Sequence, residues 1–221
     1  MYEEHINAVL AAHTNLYKYG NDSLNNSLIV YRIDDEKYIV REDRLNNLGL
    51  EIQNLCVVNR DGESVTGKTS RVDERFFVDV AMMEQYKWMR CVVNSTMKNS
   101  MIWTQSGVAL PPISVIHPKY FYGEIPISAP VLYKKDESYT ELVIQEVLEV
   151  LRYGTPQKCK ALFVPRTDCI VWGESISEAV NLTLALEALA EQANYVAKEC
   201  EGCFEYLPYD LVREIYNKTH K

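Results

Sequence analysis

The chain has 221 residues, 47% of them apolar and 24% charged, with a net charge of −8 at pH 7. This is ordinary globular composition with length enough for a full core, and 9 glycines and 8 prolines without runs exclude collagen-like and broadly disordered chains. No stretch reaches the roughly 18 consecutive apolar residues of a membrane span, the start Met1-Tyr2-Glu3-Glu4-His5 is acidic where a signal peptide is basic, and the 23 Lys and Arg are scattered, so a soluble, cytoplasmic protein with neither nucleic-acid nor membrane partners is expected.

Ile6, Val9, Leu10, Leu16 and Tyr17 recur at helical steps, which predicts an amphipathic helix over 2–18 that stops at Gly20. Residues 28–33 and 37–40 are β-branched and aromatic around the acidic turn Asp34-Asp35-Glu36 and read as a hairpin. Residues 51–59 lead into an Asp61-Gly62 turn, after which Val72, Phe76, Val80 and Met83 predict a second helix opening near Arg71. Residues 89–93 read as a buried strand. Between 107 and 133 prolines stand at 111, 112, 118, 126 and 130, so this segment is expected as short strands and surface loops. Ser138-x-x-Glu141 and Ser175-x-x-Glu178 are capping boxes opening two further helices, the second running to about Val196. Between them, 161–164 and 169–172 read as strands. The pattern predicts a single α/β domain over 1–221, with helices on both faces of a mixed, mainly antiparallel sheet.

Six cysteines are read as reduced thiols; Cys200-x-x-Cys203 lacks the second pair or the histidines of a zinc site and reads as the frayed end of a helix.

Several strings resemble the class II aldolase/adducin family over about residues 5–200. Gly20-Asn21-Asp22-Ser23 is similar to the family's glycine-asparagine-x-serine loop. Gly67-Lys68, followed by Arg71-Val72-Asp73 and Arg75-Phe76-Phe77, resembles the lead-in to its second helix. Val92-Val93-Asn94-Ser95-Thr96 resembles its Val-Val-His-x-His, and Arg166-Thr167-Asp168 its Asn-His-Gly. Trp172-Gly173 with Glu178-Ala179 resembles its Trp-Gly and acidic helix start. The resemblance implies a three-layer αβα fold of the class II aldolase type, a zinc ion held by three histidines, a carboxylate working as general acid/base at the place of Asp73, and a sugar-phosphate clamp that includes Gly20, Asn21 and Ser23.

The same correspondence puts Asn94, Thr96 and Thr167 where the zinc histidines stand. Amide and hydroxyl oxygens without charge are poor zinc ligands, so no zinc cofactor is expected. None of His5, His13, His117 and His220 falls on a ligand position. Asp73 also suits a first helical turn for the helix dipole alone. Arg41, Arg44 and Arg71 fall near the phosphate clamp, where they either bind a small anion through bidentate contacts or are held by Glu42, Asp43 and Glu74. The primary expectation is a pseudoenzyme, serving as an oligomeric scaffold, as adducin's head domain does, or as a binder of a small anion such as a sugar phosphate. The alternatives are a sugar-phosphate lyase with a rebuilt Mg²⁺ or Mn²⁺ site of Asp73, Asp168 and Asn94, and a redox or zinc module of Cys200 and Cys203.

The resemblance also implies a homo-oligomer, a tetramer, and Trp103, Tyr120, Phe121 and Tyr122 are the aromatic anchors expected in its interface. Light scattering at micromolar concentration should return a multiple of the 25.5 kDa chain mass; a monomer mass refutes this.

Overall fold

A computed structural model describes residues 2–20, 22, 24–43, 49–67, 71–202 and 205–220. In chain order the elements are α1 (Glu3–Tyr19), β1 (Leu28–Arg32), β2 (Tyr38–Arg41), β3 (Leu55–Val58), α2 (Arg75–Gln85), β4 (Cys91–Ser95), α3 (Lys98–Thr104), α4 (Tyr139–Tyr153), β5 (Ala161–Val164), β6 (Asp168–Gly173), α5 (Ile176–Glu199) and α6 (Tyr209–Thr219). The six strands form one sheet in the order β3-β2-β1-β4-β6-β5. Every adjacent pair is antiparallel, so the mixed sheet expected from sequence is antiparallel throughout its named strands. A lone parallel bridge joins Ile127 to Phe163.

Alternation of side chains along each strand divides the core between two faces. Leu28 and Val30 of β1 join Tyr38, Val40, Val92 and Ile170 on one face, covered by Phe76 and Met83 of α2 and Val143, Val147 and Leu151 of α4. Ile29, Ile39, Val57 and Val93 point the other way, against Val9 and Leu16 of α1 and Ala179 and Val180 of α5. Further along that second face, Phe163 and Val171 meet Trp103 of α3 and Leu186, Leu189 and Ala190 of α5. With apolar cover on both faces the strands read as continuous apolar runs, and the result is a three-layer αβα arrangement.

The helix starts follow the capping chemistry. Ser138 Oγ accepts from Glu141 N at 3.4 Å and Ser175 Oγ from Glu178 N at 3.1 Å. Trp172 is buried and its Nε1 donates to the Pro156 carbonyl at 2.8 Å. A Cβ on Gly173 would stand 2.9 Å from Ala179 N, so only glycine lets α5 turn back this closely on β6.

Four features depart from the sequence reading. Helix α2 opens at Arg75 and not near Arg71, because residues ahead of it are held extended: Asp43 N donates to the Arg71 carbonyl at 2.7 Å, and Glu42 bridges Val72. Helix α6 lies outside the predicted elements, although Leu211, Val212, Ile215 and Tyr216 recur at helical spacing; it packs through Val212 and Tyr216. Trp103 and Phe121, expected at an interface, are core residues, and Tyr122 packs edge-on against Tyr209 and Tyr216, leaving Tyr120 as the exposed member of that group. Helix α3, also unpredicted, is anchored from α5. The buried Glu187 carboxylate accepts from Asn99 N and Ser100 N at 2.8 and 2.9 Å and from Asn99 Nδ2 at 2.9 Å. Cys56, Cys91, Cys159 and Cys169 are buried. Cys200 is exposed and caps the C-terminal end of α5, while Cys203 lies outside the described residues. Among the described residues no helix is long and apolar enough to cross a membrane.

Glu187→Ala removes an anionic cap and strands two amides, so it should lower unfolding free energy by about 2–3 kcal/mol. The exposed Glu191→Ala on the same helix should change it by less than about 0.5 kcal/mol in urea titrations.

Candidate functional site

The first residue of α2 organises a polar cluster inside an otherwise apolar layer. Arg75 grips Asp73 with two bonds, Nε to Oδ1 at 3.0 Å and Nη2 to Oδ2 at 2.6 Å. Asp73 Oδ1 also accepts Arg75 N at 3.0 Å, a turn that sets the start of the helix. On the far side of the guanidinium, Nη1 lies 3.6 Å from Asp168 Oδ2. The same group donates to Asn26, Nη1 to its carbonyl at 3.2 Å and Nη2 to its Oδ1 at 3.4 Å. Asp168 is positioned by the tight β5–β6 connection, in which Arg166 takes a left-handed φ of 66° and Thr167 N donates to the Val164 carbonyl at 3.1 Å. One turn along α2, Asp79 is fully buried; its Oδ2 accepts Asn94 Nδ2 of β4 at 2.6 Å, and its Oδ1 has no hydrogen-bond partner. Asp168 Oδ2 likewise lacks a hydrogen bond, having only the longer ionic contact to Arg75.

These environments pull the three carboxyls apart. Burial works against the Asp73 charge, but the hydrogen bonds and charge of Arg75 outweigh it and hold the group below the ordinary carboxylate range. Burial pushes Asp168 up to about 6, against the attraction of Arg75 and with the repulsion of Asp73. Burial raises Asp79 furthest, and the hydrogen bond from Asn94 does not restore it. Arg75 is itself largely desolvated, yet Asp73 and Asp168 keep its guanidinium above its usual value.

The residues singled out from sequence divide between this cluster and its surroundings. Asp73, Asn94 and Asp168 belong to it. Thr96 does not: its hydroxyl donates to Asp22 Oδ1 at 2.9 Å, and its N donates to Ser27 Oγ at 3.1 Å. Thr167 shares a 3.2 Å hydrogen bond with the Tyr139 hydroxyl. Gly20 ends α1, its N donating to the Leu16 carbonyl. Asn21, Ser23 and Arg44 lie outside the described residues, as does Lys68. Arg41 is buried at the end of β2, with Nη2 donating to Asn26 Oδ1 at 2.9 Å. Burial and the neighbouring Arg75 charge push its guanidinium down to about 10. Of the two alternatives for Arg71, the structure shows the ion-paired one: its side chain is 71% exposed and reaches Asp43 at 3.5 Å, away from Arg41 because its backbone is pinned at the surface. Arg75 is the arginine beside Arg41. His117 is a hydrogen-bonding loop residue, as expected; Nε2 donates to the Gly123 carbonyl at 2.7 Å.

The residues at the implied zinc positions do not fit that ion. Asn94 and Thr96 spend their polar hydrogens on carboxylates and Thr167 pairs with a phenol. Among the described residues no three His, Cys, Asp or Glu side chains gather closely enough to hold a metal. The guanidinium of Arg75 stands between Asp73 and Asp168, two of the oxygen ligands considered for Mg²⁺ or Mn²⁺. Sequence reasoning passed over Arg75 and Asp79, although their i, i+4 spacing beside the apolar Phe76, Val80 and Met83 was visible as a charged pair on one helix face. Arg75 also lines a small cleft of about 170 Å³, together with Glu74, Tyr139, Thr140, Thr167 and the apolar Val78 and Val143.

Residues 7–194 match the family described as Class II Aldolase and Adducin N-terminal domain. The chain is 25% identical over 172 residues to the L-ribulose-5-phosphate 4-epimerase UlaF of Salmonella paratyphi B, covering 77% of this chain and 75% of that one. Among solved structures it superposes on an L-fuculose 1-phosphate aldolase with a TM-score of 0.78 at 9% identity, covering 98% of this chain and 96% of that one. It superposes on the L-fuculose-1-phosphate aldolase of Thermus thermophilus with a TM-score of 0.70 at 18% identity, covering 92% of this chain and 100% of that one. At these identities the structural likeness speaks for the fold alone.

Two buried groups tilt stability with pH in opposite senses. Asp168 binds its proton more tightly when folded, so its contribution is present below the ordinary value of 3.8 and is lost as pH climbs to about 6. Burial holds His117 down at about 4, so its contribution is present above 6.5 and lost as pH falls toward 4. Between pH 4 and 7 the wild type should therefore lose on the order of 3 kcal/mol relative to Asp168→Asn. Over the same interval it should gain stability relative to His117→Gln. Urea midpoints across the range check both, and a difference that does not vary with pH contradicts either assignment.

Proposed function

Since the chain belongs to the Class II Aldolase and Adducin N-terminal domain family, we propose that it keeps this fold to bind a small anion of the sugar-phosphate class without zinc-dependent aldol chemistry. The observation that carries this reading is the cleft that Arg75 lines together with Tyr139, Thr140 and Thr167, beside the start of α4. Thr140 Oγ1 donates to Glu74 Oε2 at 2.9 Å and the Tyr139 and Thr167 hydroxyls share a bond, so an anion entering the cleft takes over these hydroxyls, with the start of α4 adding its dipole. The names of the relatives, an epimerase and aldolases of phosphorylated sugars, favour a phosphorylated polyol over an inorganic ion. A self-associating, single-domain chain is part of the same reading. The rebuilt Mg²⁺ or Mn²⁺ enzyme is less favoured, because its two carboxylates already share a cation.

A ligand that binds only the folded protein raises stability by about 2.7 kcal/mol at a hundred times its Kd, or several degrees in melting temperature. In a thermal-shift screen of phosphate, sulfate, citrate and sugar phosphates, a sugar phosphate should raise the melting temperature most. The shift should vanish in Thr140→Val/Thr167→Val and persist in Arg71→Ala, and chelator should leave it unchanged. Absence of any shift, or zinc-dependent cleavage of L-fuculose 1-phosphate well above a heat-killed control, overturns the reading.

A further inference from the structure

Two carboxylates from separate parts of the chain meet one side chain, Asp73 ahead of α2 and Asp168 at the start of β6, and the buried Asp79 stands one turn further along α2. Asp168 and Asp79 each keep a buried oxygen without a hydrogen bond. Such a set needs a compensating cation in place, and its geometry states which kind. Asp73 addresses Nε and Nη2 together as a planar fork, while Asp168 approaches Nη1 on the other side. The two carboxylates are thus spaced by the width of a guanidinium, whereas a divalent ion draws its oxygen ligands to about 2.0–2.6 Å from one point. Consistently, no three acidic, His or Cys groups among the described residues gather at metal-binding range. Arg41, the other buried arginine nearby, binds Asn26 and the Glu42 carbonyl.

We infer that Asp73 and Asp168 form a seat for a planar guanidinium cation, which the chain fills covalently with Arg75, and that this seat is not a divalent-metal site. Arg75 lines a surface cleft and itself separates it from the carboxylates behind, so shortening the side chain leaves a route by which a free guanidinium ion can enter. The inference stands apart from anion binding, since the seat concerns the inner face of the guanidinium and the carboxylates behind it.

The test compares melting temperatures of wild type and Arg75→Ala in low-millimolar guanidinium chloride, in sodium chloride of equal ionic strength, and with MgCl₂, MnCl₂ or ZnCl₂. Breaking a buried pair from one side should lower the melting temperature of the variant by on the order of 10 °C. Guanidinium should restore a large part of that loss in the variant and none in wild type, where the seat is filled; the divalent salts should restore nothing. Restoration by a divalent metal, or by neither kind of cation, overturns the inference. If Arg75→Ala does not fold, the triple variant Arg75→Ala/Asp73→Asn/Asp168→Asn decides. Neutralising two acids should recover soluble protein, and a triple variant no better behaved than the single one refutes the seat. Rescue by guanidinium together with a failed anion screen would retire the anion reading alone.

Discussion

The contact of Arg75 with Asp73 on one side and Asp168 on the other ties the start of α2 to the start of β6, across the gap between a helix and the sheet it covers. Taking such charges out of water costs several kcal/mol per ion, and only close geometry with further hydrogen bonds offsets it. Here the offset comes from the two-point grip of Asp73 and from the Asn26 oxygens. An apolar replacement of the whole set need not be less stable. Loss of one member is the damaging event, since the remaining charges have no water to turn to. The contact therefore specifies how α2 sits on the sheet more than it adds to total stability.

Its neighbours form a second polar chain that meets the first at β4. Asp22, after α1, accepts from Ser27 N at 3.0 Å and from the Thr96 hydroxyl, joining the loop before β1 to the end of β4. Two residues back on β4, Asn94 donates to Asp79. Successive inward positions at one end of the central strands are thus polar and hydrogen-bonded, while the middle of the same strands is wholly apolar. In a low-dielectric interior each unmade bond is costly, which gives this end of the sheet a narrow tolerance for substitution.

What the sequence revealed was what depends on local spacing. The helix of residues 2–18, the hairpin around Asp34, and the two helices opened by Ser138 and Ser175 are written in periodicity and caps, and Trp172-Gly173 in the close return of α5. Asp73, Asn94 and Asp168 could be singled out because they fall on recognisable strings. Their partners could not be assigned, because Arg75 reaches Asp168 across ninety-odd positions of chain and Asp79 meets Asn94 only when β4 is laid beneath α2. Helix α3 escaped for the same reason. Its seven residues have little helical drive of their own, and the carboxylate that caps it comes from Glu187, far along α5. The opening of α2 was misplaced because Val72 continues the apolar spacing while its backbone is engaged in a bridge with Glu42.

The bridges at the two margins of the sheet bear on how copies of this chain can meet. Outside β3, Val65 N donates to the Val57 carbonyl and Ser64 bridges Val58. Outside β5, Phe163 N donates to the Pro126 carbonyl and Ser128 N to the Phe163 carbonyl. Both rims are thus occupied by backbone of the same molecule, the second beside a proline that lacks a donor of its own. At these positions the rims are not open to the strand-by-strand addition that runs away into fibrils. Any assembly has to be built from side chains on the helical layers and loops, where contacts can be limited in number and closed by symmetry.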